Sequence, residues 1–328
     1  MAGGFNTPEQ VAIVSSMGGL GSFGFAYSTP EKISTDIKAA RALTKGPIGV
    51  NFFIFQPVEL PSAEICNAAL FSLRTVDPSF KEFKIPMPPF YPDLEKQLES
   101  VWRAKPEVLS FHFGIPPESV IRRAHELDIC IGISATNLHE AYLAEKAGAD
   151  FIVAQGIEAG GHRGVFDPDQ KDEALSVFDL TCLLKENLKI PIVAAGGIMN
   201  GAHVRASINA GAVAAQMGTA FLTCKESGTS PEHKDYILNQ VERKTSLTKA
   251  YSGRPARGIN VLFMEKMQNQ LVLPFPIQNT VTNAMRAAAK ARGDAEYQSL
   301  WAGINFSLAR SESTAELMAR LALELNLE

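Results

Sequence analysis

The sequence predicts an α/β fold: a parallel (β/α)8 TIM-type barrel carrying a smaller, mainly helical second domain. Three observations predict it. From about Phe5 to Leu222, short β-type runs alternate with amphipathic helical patterns, the order in which parallel βα units are built. Several of those runs end in glycine or a small polar residue, as needed where loops must let a ligand approach the backbone at the carboxyl ends of barrel strands. The 328 residues, 46% hydrophobic and 20% charged, suffice for one large barrel with additions or for two modest domains.

Taken in order, residues 7–17 read as a helix opened by Thr7-Pro8, a capping threonine followed by the proline that suits a first helical position. The first strand is Ser22-Phe23-Gly24-Phe25-Ala26, and the helical pattern over 30–43 again begins at a proline. Strands follow at 48–54, 108–114, 129–135, 151–155, 192–195 and 213–217, and helical periodicity occupies 117–127, 137–147, 175–188 and 201–210 between them. Seven strands are legible where a closed barrel needs eight. The repeat preceding Thr7 calls for a strand upstream of Met1. We therefore expect a product that begins roughly 15–20 residues earlier, the length of a strand with its lead-in; the other option is an unclosed barrel with an exposed edge.

The barrel is assigned to residues 1–222. Within it, the proline-rich stretch 55–91 is too long for a plain loop and reads as a functional insertion. Residues 223–305 hold helical patterns and the run Gly253-Arg254-Pro255-Ala256-Arg257-Gly258, and are expected to form a small lid or substrate domain. Apolar residues at helical spacing over 313–325 predict that the last segment, 306–328, returns to cover the barrel.

Composition excludes several classes of function. With 31 Lys and Arg against 35 Asp and Glu the net charge is −4, and no like-charge run could track phosphates, so we expect no nucleic-acid partner. The cysteines Cys66, Cys130, Cys182 and Cys224 show no CxxC or metal-ligand spacing, which argues against zinc and disulfides and suits a reducing cytoplasm. Neither a leader pattern nor ~18 unbroken apolar residues occurs, so no membrane segment is expected. The partners expected are small molecules. The oligomeric state is not legible, and a homodimer is compatible with everything above.

Chemistry concentrates in Gln155-Gly156-Ile157-Glu158-Ala159-Gly160-Gly161-His162-Arg163-Gly164, directly after a strand. Its four glycines permit close backbone approach to a flat or anionic ligand, Gly160 and Gly161 directly preceding the histidine. An imidazole has an ordinary pKa near 6.5, suited to moving a proton at neutral pH, which makes His162 the candidate base. The bland alternative is a loop that merely turns the chain. Two further strand ends weigh against it: Ala195-Gly196-Gly197-Ile198 and Gln216-Met217-Gly218-Thr219. Loops in these positions of a barrel often hold a phosphate through backbone N–H groups. No GxGxxG follows the first strand, so a phosphorylated flavin, FMN, fits better than NAD. Asn51, a polar amide on a strand expected to be buried, needs a partner that a flavin edge would satisfy. His112 reads first as a hydrogen-bonded interior residue and second as part of the pocket. His125, His139, His203 and His233 read as surface residues, Glu158 as a partner for a helix N-terminus or for Arg163, and Trp102 and Trp301 as packing residues.

With these residues in hand, the chain resembles the nitronate monooxygenases, formerly 2-nitropropane dioxygenases, over essentially its whole length. The resemblance rests on Met1-Ala2-Gly3-Gly4, Gly18-Gly19-Leu20-Gly21-Ser22, Gly49-Val50-Asn51, the Gln155 to Gly164 string, Ala195-Gly196-Gly197-Ile198, Gln216-Met217-Gly218-Thr219 and Ser252-Gly253-Arg254-Pro255-Ala256-Arg257-Gly258. It implies an FMN-bound barrel with a smaller helical domain, His162 as catalytic acid/base, and FMN contacts at Asn51, Gln155, Gly160, Gly197, Gln216, Met217, Gly218 and Thr219. The implied reaction oxidises an alkyl nitronate, or a neutral nitroalkane after loss of its α-proton, with O2 to a carbonyl compound and nitrite. Members carry a first strand of Pro-Ile-x-x-Ala-Pro type before Met-Ala-Gly-Gly, and this chain lacks it. The nearest rival shares Glu-Ala-Gly-Gly-His: the flavin-dependent, NAD(P)H-consuming enoyl-acyl-carrier-protein reductases and quinone reductases. A flavin-binding protein without turnover is the third reading.

Overall fold

The computed structural model describes residues 5–327, so the Met1-Ala2-Gly3-Gly4 motif lies outside the described residues. Seven strands, β1 (Gly21–Gly24), β2 (Ile48–Phe53), β3 (Val108–His112), β4 (Cys130–Ala135), β5 (Phe151–Gln155), β7 (Ile192–Ala195) and β8 (Ala214–Gln216), form one parallel sheet in chain order. The omitted β6 (Gly161–His162) leaves this sheet and joins an antiparallel one with β9 (Thr245–Thr248) and β10 (Ala256–Ile259). Phe52, Phe111, Ile131, Ile133 and Ile152 are buried in the barrel core. Strands covered on both faces carry continuous apolar runs rather than alternation, which is why they stood out in the sequence.

The barrel helices are α1 (Pro8–Ser16), α2 (Pro30–Leu43), α4 (Leu94–Ala104), α5 (Glu118–Glu126), α6 (Leu138–Ala147), α7 (Val177–Asn187) and α8 (Gly201–Asn209). Side-chain caps start most of them: Thr7 and Thr29 before a proline, Asn137 on α6, Ser176 on α7 and Asn200 on α8. The sequence reading had no helix at α4, whose Leu98 and Val101 lie in the barrel core.

The sheet curls but does not close among the described residues. β1 and β8 are its two edges, and β8 is exposed, with Val213 beside it 63% accessible, whereas β4 is buried along nearly its whole length. The seven-strand count read from the sequence is therefore the count observed.

A second core lies outside the barrel. Helix α3 (Ala63–Val76), within the 55–91 stretch, contributes Leu70, Leu73 and Val76, which cluster with Phe83, Ile237, Tyr251, Phe263, Ile277 and Met285. The insertion and residues 223–305 thus share one core, built around α10 (Pro231–Asn239), α11 (Leu262–Lys266), α12 (Ile277–Ala291) and the β9–β10 hairpin. That hairpin qualifies the expectation of a mainly helical region; its strands are four residues each, too short to stand out as alternation. After the short α9 (Thr219–Leu222) and this region, α13 (Thr314–Leu325) begins at a Ser313/Glu316 capping box. It packs Leu317 and Leu321 against Met199, Ala220 and Cys224. No helix of the described residues is long and apolar enough to cross a membrane.

Candidate active site

The glycine-rich string does not remain a free loop. After β5 the chain turns and enters β6, where His162 pairs with Ala256 and Gly161 with Arg257 of β10. The backbone of the candidate base is therefore held by the second domain. Gly161 has φ +77, a left-handed conformation that favours glycine, and a side chain there would meet open space. Gln155 Nε2 donates to the His162 carbonyl at 2.9 Å, while its Oε1 accepts from Gly164 N–H at 2.7 Å. His112 Nε2 lies 3.2 Å from the same carbonyl. Arg163 is buried, donates to the Gln155 carbonyl and pairs with both oxygens of Asp172 at 2.7 and 3.0 Å. Glu158 accepts from Val177 N–H at the start of α7, the helix N-terminus expected for it.

The His162 ring sits among four aromatic rings, with Phe53, Phe113, Phe275 and Trp301 all 5.7 or 5.8 Å away between centroids. Its Nε2 is 2.9 Å from Ser252 Oγ. Burial pulls its pKa down to about 3, with His112, Arg254 and Arg286 acting in the same direction, so the imidazole is neutral at physiological pH. His112 is likewise lowered to about 3 by burial. It is the hydrogen-bonded interior residue expected, and it also supports the His162 backbone.

Above the base the walls are aromatic and cationic. Phe55 stacks between Tyr91 (4.8 Å, 3°) and Phe275 (5.6 Å, 6°), so the two ends of the insertion and the second domain meet in one stack. The Arg254 guanidinium lies 3.9 Å over the Phe113 ring and donates to the Val165 and Phe166 carbonyls. Arg286 donates to Asn279 O and Oδ1 at 2.9 and 2.8 Å. Both cations are held by neutral oxygens. Their Nε atoms and the Tyr27 hydroxyl are buried without partners, which is costly unless a ligand completes them. Burial lowers the Arg254 pKa to about 10 and raises that of Tyr27, so both keep their protons at neutral pH.

The other side of the mouth is made of backbone. Gln155, Ala195 and Gln216 are in register, which brings the ends of β5, β7 and β8 to one level. Gly196 and Gly197 follow with φ +132 and +66, and the Gly197 carbonyl accepts from Asn305 Nδ2 at 2.8 Å. A Cβ on Gly197 would come within 3.0 Å of Glu158 and 3.1 Å of Asn305. Gly160 is tighter still, since its Cβ would meet Ala302 and Gly303 backbone at 2.5 Å. Gly218 and Thr219 begin α9 without a side-chain cap, and the Thr219 hydroxyl accepts from Gly303 N–H. Gln216 is exposed, and Asn51 finds its partner in Ser110 Oγ, 2.9 Å from Nδ2. Backbone amides on glycine loops beside a wide aromatic wall are a donor set that suits a phosphorylated, flat cofactor. Gln155 is the exception among the candidates, because both ends of its amide bond the histidine loop itself.

Two readings from sequence need correction. His233 is buried, not at the surface: with Ile237 one turn on it forms the inner face of α10, edge-on to Phe5, and burial lowers its pKa to about 4. His203 is half-buried with Nδ1 3.2 Å from the Gly197 carbonyl. Trp301 packs, as expected, but packs against His162. The residues missed were Tyr27, Phe53, Phe113, Ser252, Phe275 and Arg286. Ser252 and Arg254 belong to a motif that was legible, but nothing in it said that it would arrive beside a histidine 90 residues earlier.

Comparison with known proteins agrees with this architecture. The nitronate monooxygenase family matches residues 1–324. A nitronate monooxygenase of Pseudomonas aeruginosa is 40% identical, over 98% of this chain and 93% of its own length. One from Paraburkholderia phytofirmans is 39% identical, over 98% and 90%. The crystal structure of a nitroalkane oxidase from Streptomyces ansochromogenes superposes with a TM-score of 0.93 at 36% identity, covering 99% of this chain and 94% of that one.

Proposed function

The chain belongs to the nitronate monooxygenase family, and from that premise we propose that it is an FMN-dependent oxidoreductase that oxidises alkyl nitronates with O2, with His162 as the base that also admits neutral nitroalkanes. The observation that carries the reading is a neutral, half-buried histidine, ringed by aromatic side chains, in the field of two guanidiniums that are bonded only to neutral oxygens. A site of this kind favours an anion formed or bound next to the base.

In this reading the Gly196-Gly197 turn and the Gln216-Met217-Gly218-Thr219 strand end would hold the FMN phosphate, and Asn51, Gly160 and Gly161 would border the ring. Gln155 serves the cofactor indirectly by fixing the histidine loop. Bound there, FMN would supply the redox chemistry that links oxidation of the nitronate to O2. The protein supplies the rest. His162 accepts the α-proton of a nitroalkane. Alone it is a weak base because its cation is poorly solvated, but transfer creates imidazolium and nitronate side by side without changing the total charge, so each ion of the new pair stabilises the other. Arg254 and Arg286 favour the anionic partner of that pair, and the Phe53, Phe113, Phe275 and Trp301 rings exclude water. Four free, scattered cysteines support placing the enzyme in a reducing, cytoplasmic setting.

The test is to mix the FMN-loaded protein anaerobically with propyl-2-nitronate and, separately, with NADH and NADPH. We expect a rapid change of the flavin spectrum with the nitronate and none with the nicotinamides. Bleaching by NADH or NADPH without a response to the nitronate would overturn the reading in favour of a reductase. A yellow protein inert to all three would be a flavin-binding protein without turnover.

A further inference from the structure

We propose that Ser252 decides which nitrogen of His162 is the base: its Oγ accepts the Nε2 proton, leaving the Nδ1 lone pair to take the proton from substrate. The inference rests on His162 being the base, as read above, and adds which atom acts and what sets it.

Ser252 is 1% exposed, and its Oγ has three neighbours: His162 Nε2 at 2.9 Å, the Arg254 carbonyl at 3.1 Å and the Arg254 N–H at 3.3 Å. A hydroxyl has one proton and two lone pairs. The Arg254 N–H can only donate, so it takes one lone pair. The proton then goes either to the Arg254 carbonyl or to His162 Nε2. Giving it to Nε2 would strip a buried carbonyl of the only side-chain donor it has among the described residues, which is unfavourable. Giving it to the carbonyl satisfies all three groups, provided that Nε2 carries a proton and donates to the second lone pair. The tautomer follows, with Nδ1 unprotonated. Among the described residues no side chain is bonded to Nδ1, which leaves it as the ring nitrogen free to meet a substrate.

The arrangement also serves the step itself. As the substrate C–H proton moves to Nδ1, the bonding electrons stay on the substrate as nitronate, and the imidazolium so formed keeps Nε2–H on Ser252. The Ser252 hydroxyl, polarised toward the Arg254 carbonyl, then faces a stronger donor, and its bond to the ring strengthens as charge develops. No carboxylate of the described residues is bonded to the ring, so it is oriented without being held permanently protonated. Ser252 is in this sense a positioning residue.

The experiment is nitrogen-15 NMR of histidine-labelled, FMN-loaded protein, with the His162 signals assigned by their loss in His162→Asn. We expect Nε2 to be the protonated nitrogen and Nδ1 the unprotonated one. In Ser252→Ala both tautomers should appear, and the ratio of kcat/KM on neutral nitroalkane to that on its preformed nitronate should fall about 10–100-fold. Ser252→Thr, which retains the hydroxyl, should restore both. A wild-type ring protonated at Nδ1 overturns the proposal, as does a Ser252→Ala protein whose tautomer and substrate ratio match wild type. Should Ser252→Ala fail to fold, the wild-type tautomer alone decides. Failure of the underlying reading looks different: His162→Asn would then leave the substrate ratio unchanged, whatever the tautomer.

Discussion

Gln155 and Gln216 end strands β5 and β8 at the same level of the barrel mouth, separated by one strand, and they are treated in opposite ways. Gln155 is 8% exposed, with its amide bonded at both ends to the histidine loop. Gln216 is exposed, and its side chain makes no hydrogen bond to a described residue. The contrast extends to the regions around them. The His162 side is assembled from interlocked side chains of distant segments. The Gly197 side is assembled from backbone on a sheet edge. A site made of side chains fails by truncation, and a site made of backbone fails by addition of a Cβ.

The largest effect expected tests the first half of that statement. His162→Asn should lower turnover of neutral nitroalkanes by roughly 10²–10⁴ while largely sparing preformed nitronates, as general-base catalysis requires. Equal loss on both substrates, measured by steady-state oxygen uptake, would give His162 some other role.

Acid should distinguish the two sides next. His112, His162 and His233 have pKa values lowered by burial to about 3, 3 and 4. Above the ordinary value of 6.5 they are neutral in both folded and unfolded chains and contribute nothing. Below it the unfolded chain takes up protons that the fold refuses, so stability falls as pH drops from about 6.5 toward 4, by up to ~4 kcal/mol per pH unit if all three act. Thermal melts across that range measure the slope. Replacing His162 by Asn should remove about a third of it; an unchanged slope would mean that the ring is already protonated in the fold.

Gly197→Ala tests the backbone side. At φ +66, with a Cβ 3.0 Å from Glu158, the substitution should cost about 1–3 kcal/mol in the loop geometry, or roughly 5–150-fold in FMN affinity, by flavin fluorescence titration. Wild-type affinity would remove Gly197 from the cofactor site.

The smallest effects return to the paired glutamines. Gln155→Ala leaves Gly164 N–H and the His162 carbonyl short of a partner, and should cost about 1–3 kcal/mol in urea denaturation. Gln216→Ala should change stability by less than about 0.5 kcal/mol, its effect being confined to FMN binding. Equal destabilisation by the two would erase the distinction between the sides.

Much of the barrel was legible because its signals are local. Apolar runs, proline-led helix starts with Thr7 and Thr29 as caps, and glycines at strand ends are all set within a few residues of chain. The count of seven strands, and the placing of His162, Gly197 and Gly218 at the carboxyl ends of strands, came from that local code. The rest depended on contacts between segments far apart in sequence. A two-residue strand such as β6 has no periodicity to read, so its pairing with β10 was invisible. His233 looked like a surface residue because its neighbours on the helix are polar, while its burial depends on Phe5 arriving from the other end of the chain.

By itself, then, the sequence determined the parallel βα architecture, the glycine-lined mouth and the identity of the histidine at its rim, because backbone propensity and hydrophobic period act over one element at a time. Only the tertiary structure decided what surrounds that histidine. The insertion shares a core with the second domain, Ser252 bonds the ring, and Arg254 and Arg286 act on it, because burial and electrostatic environment are properties of packing between segments and are set only once the chain has folded.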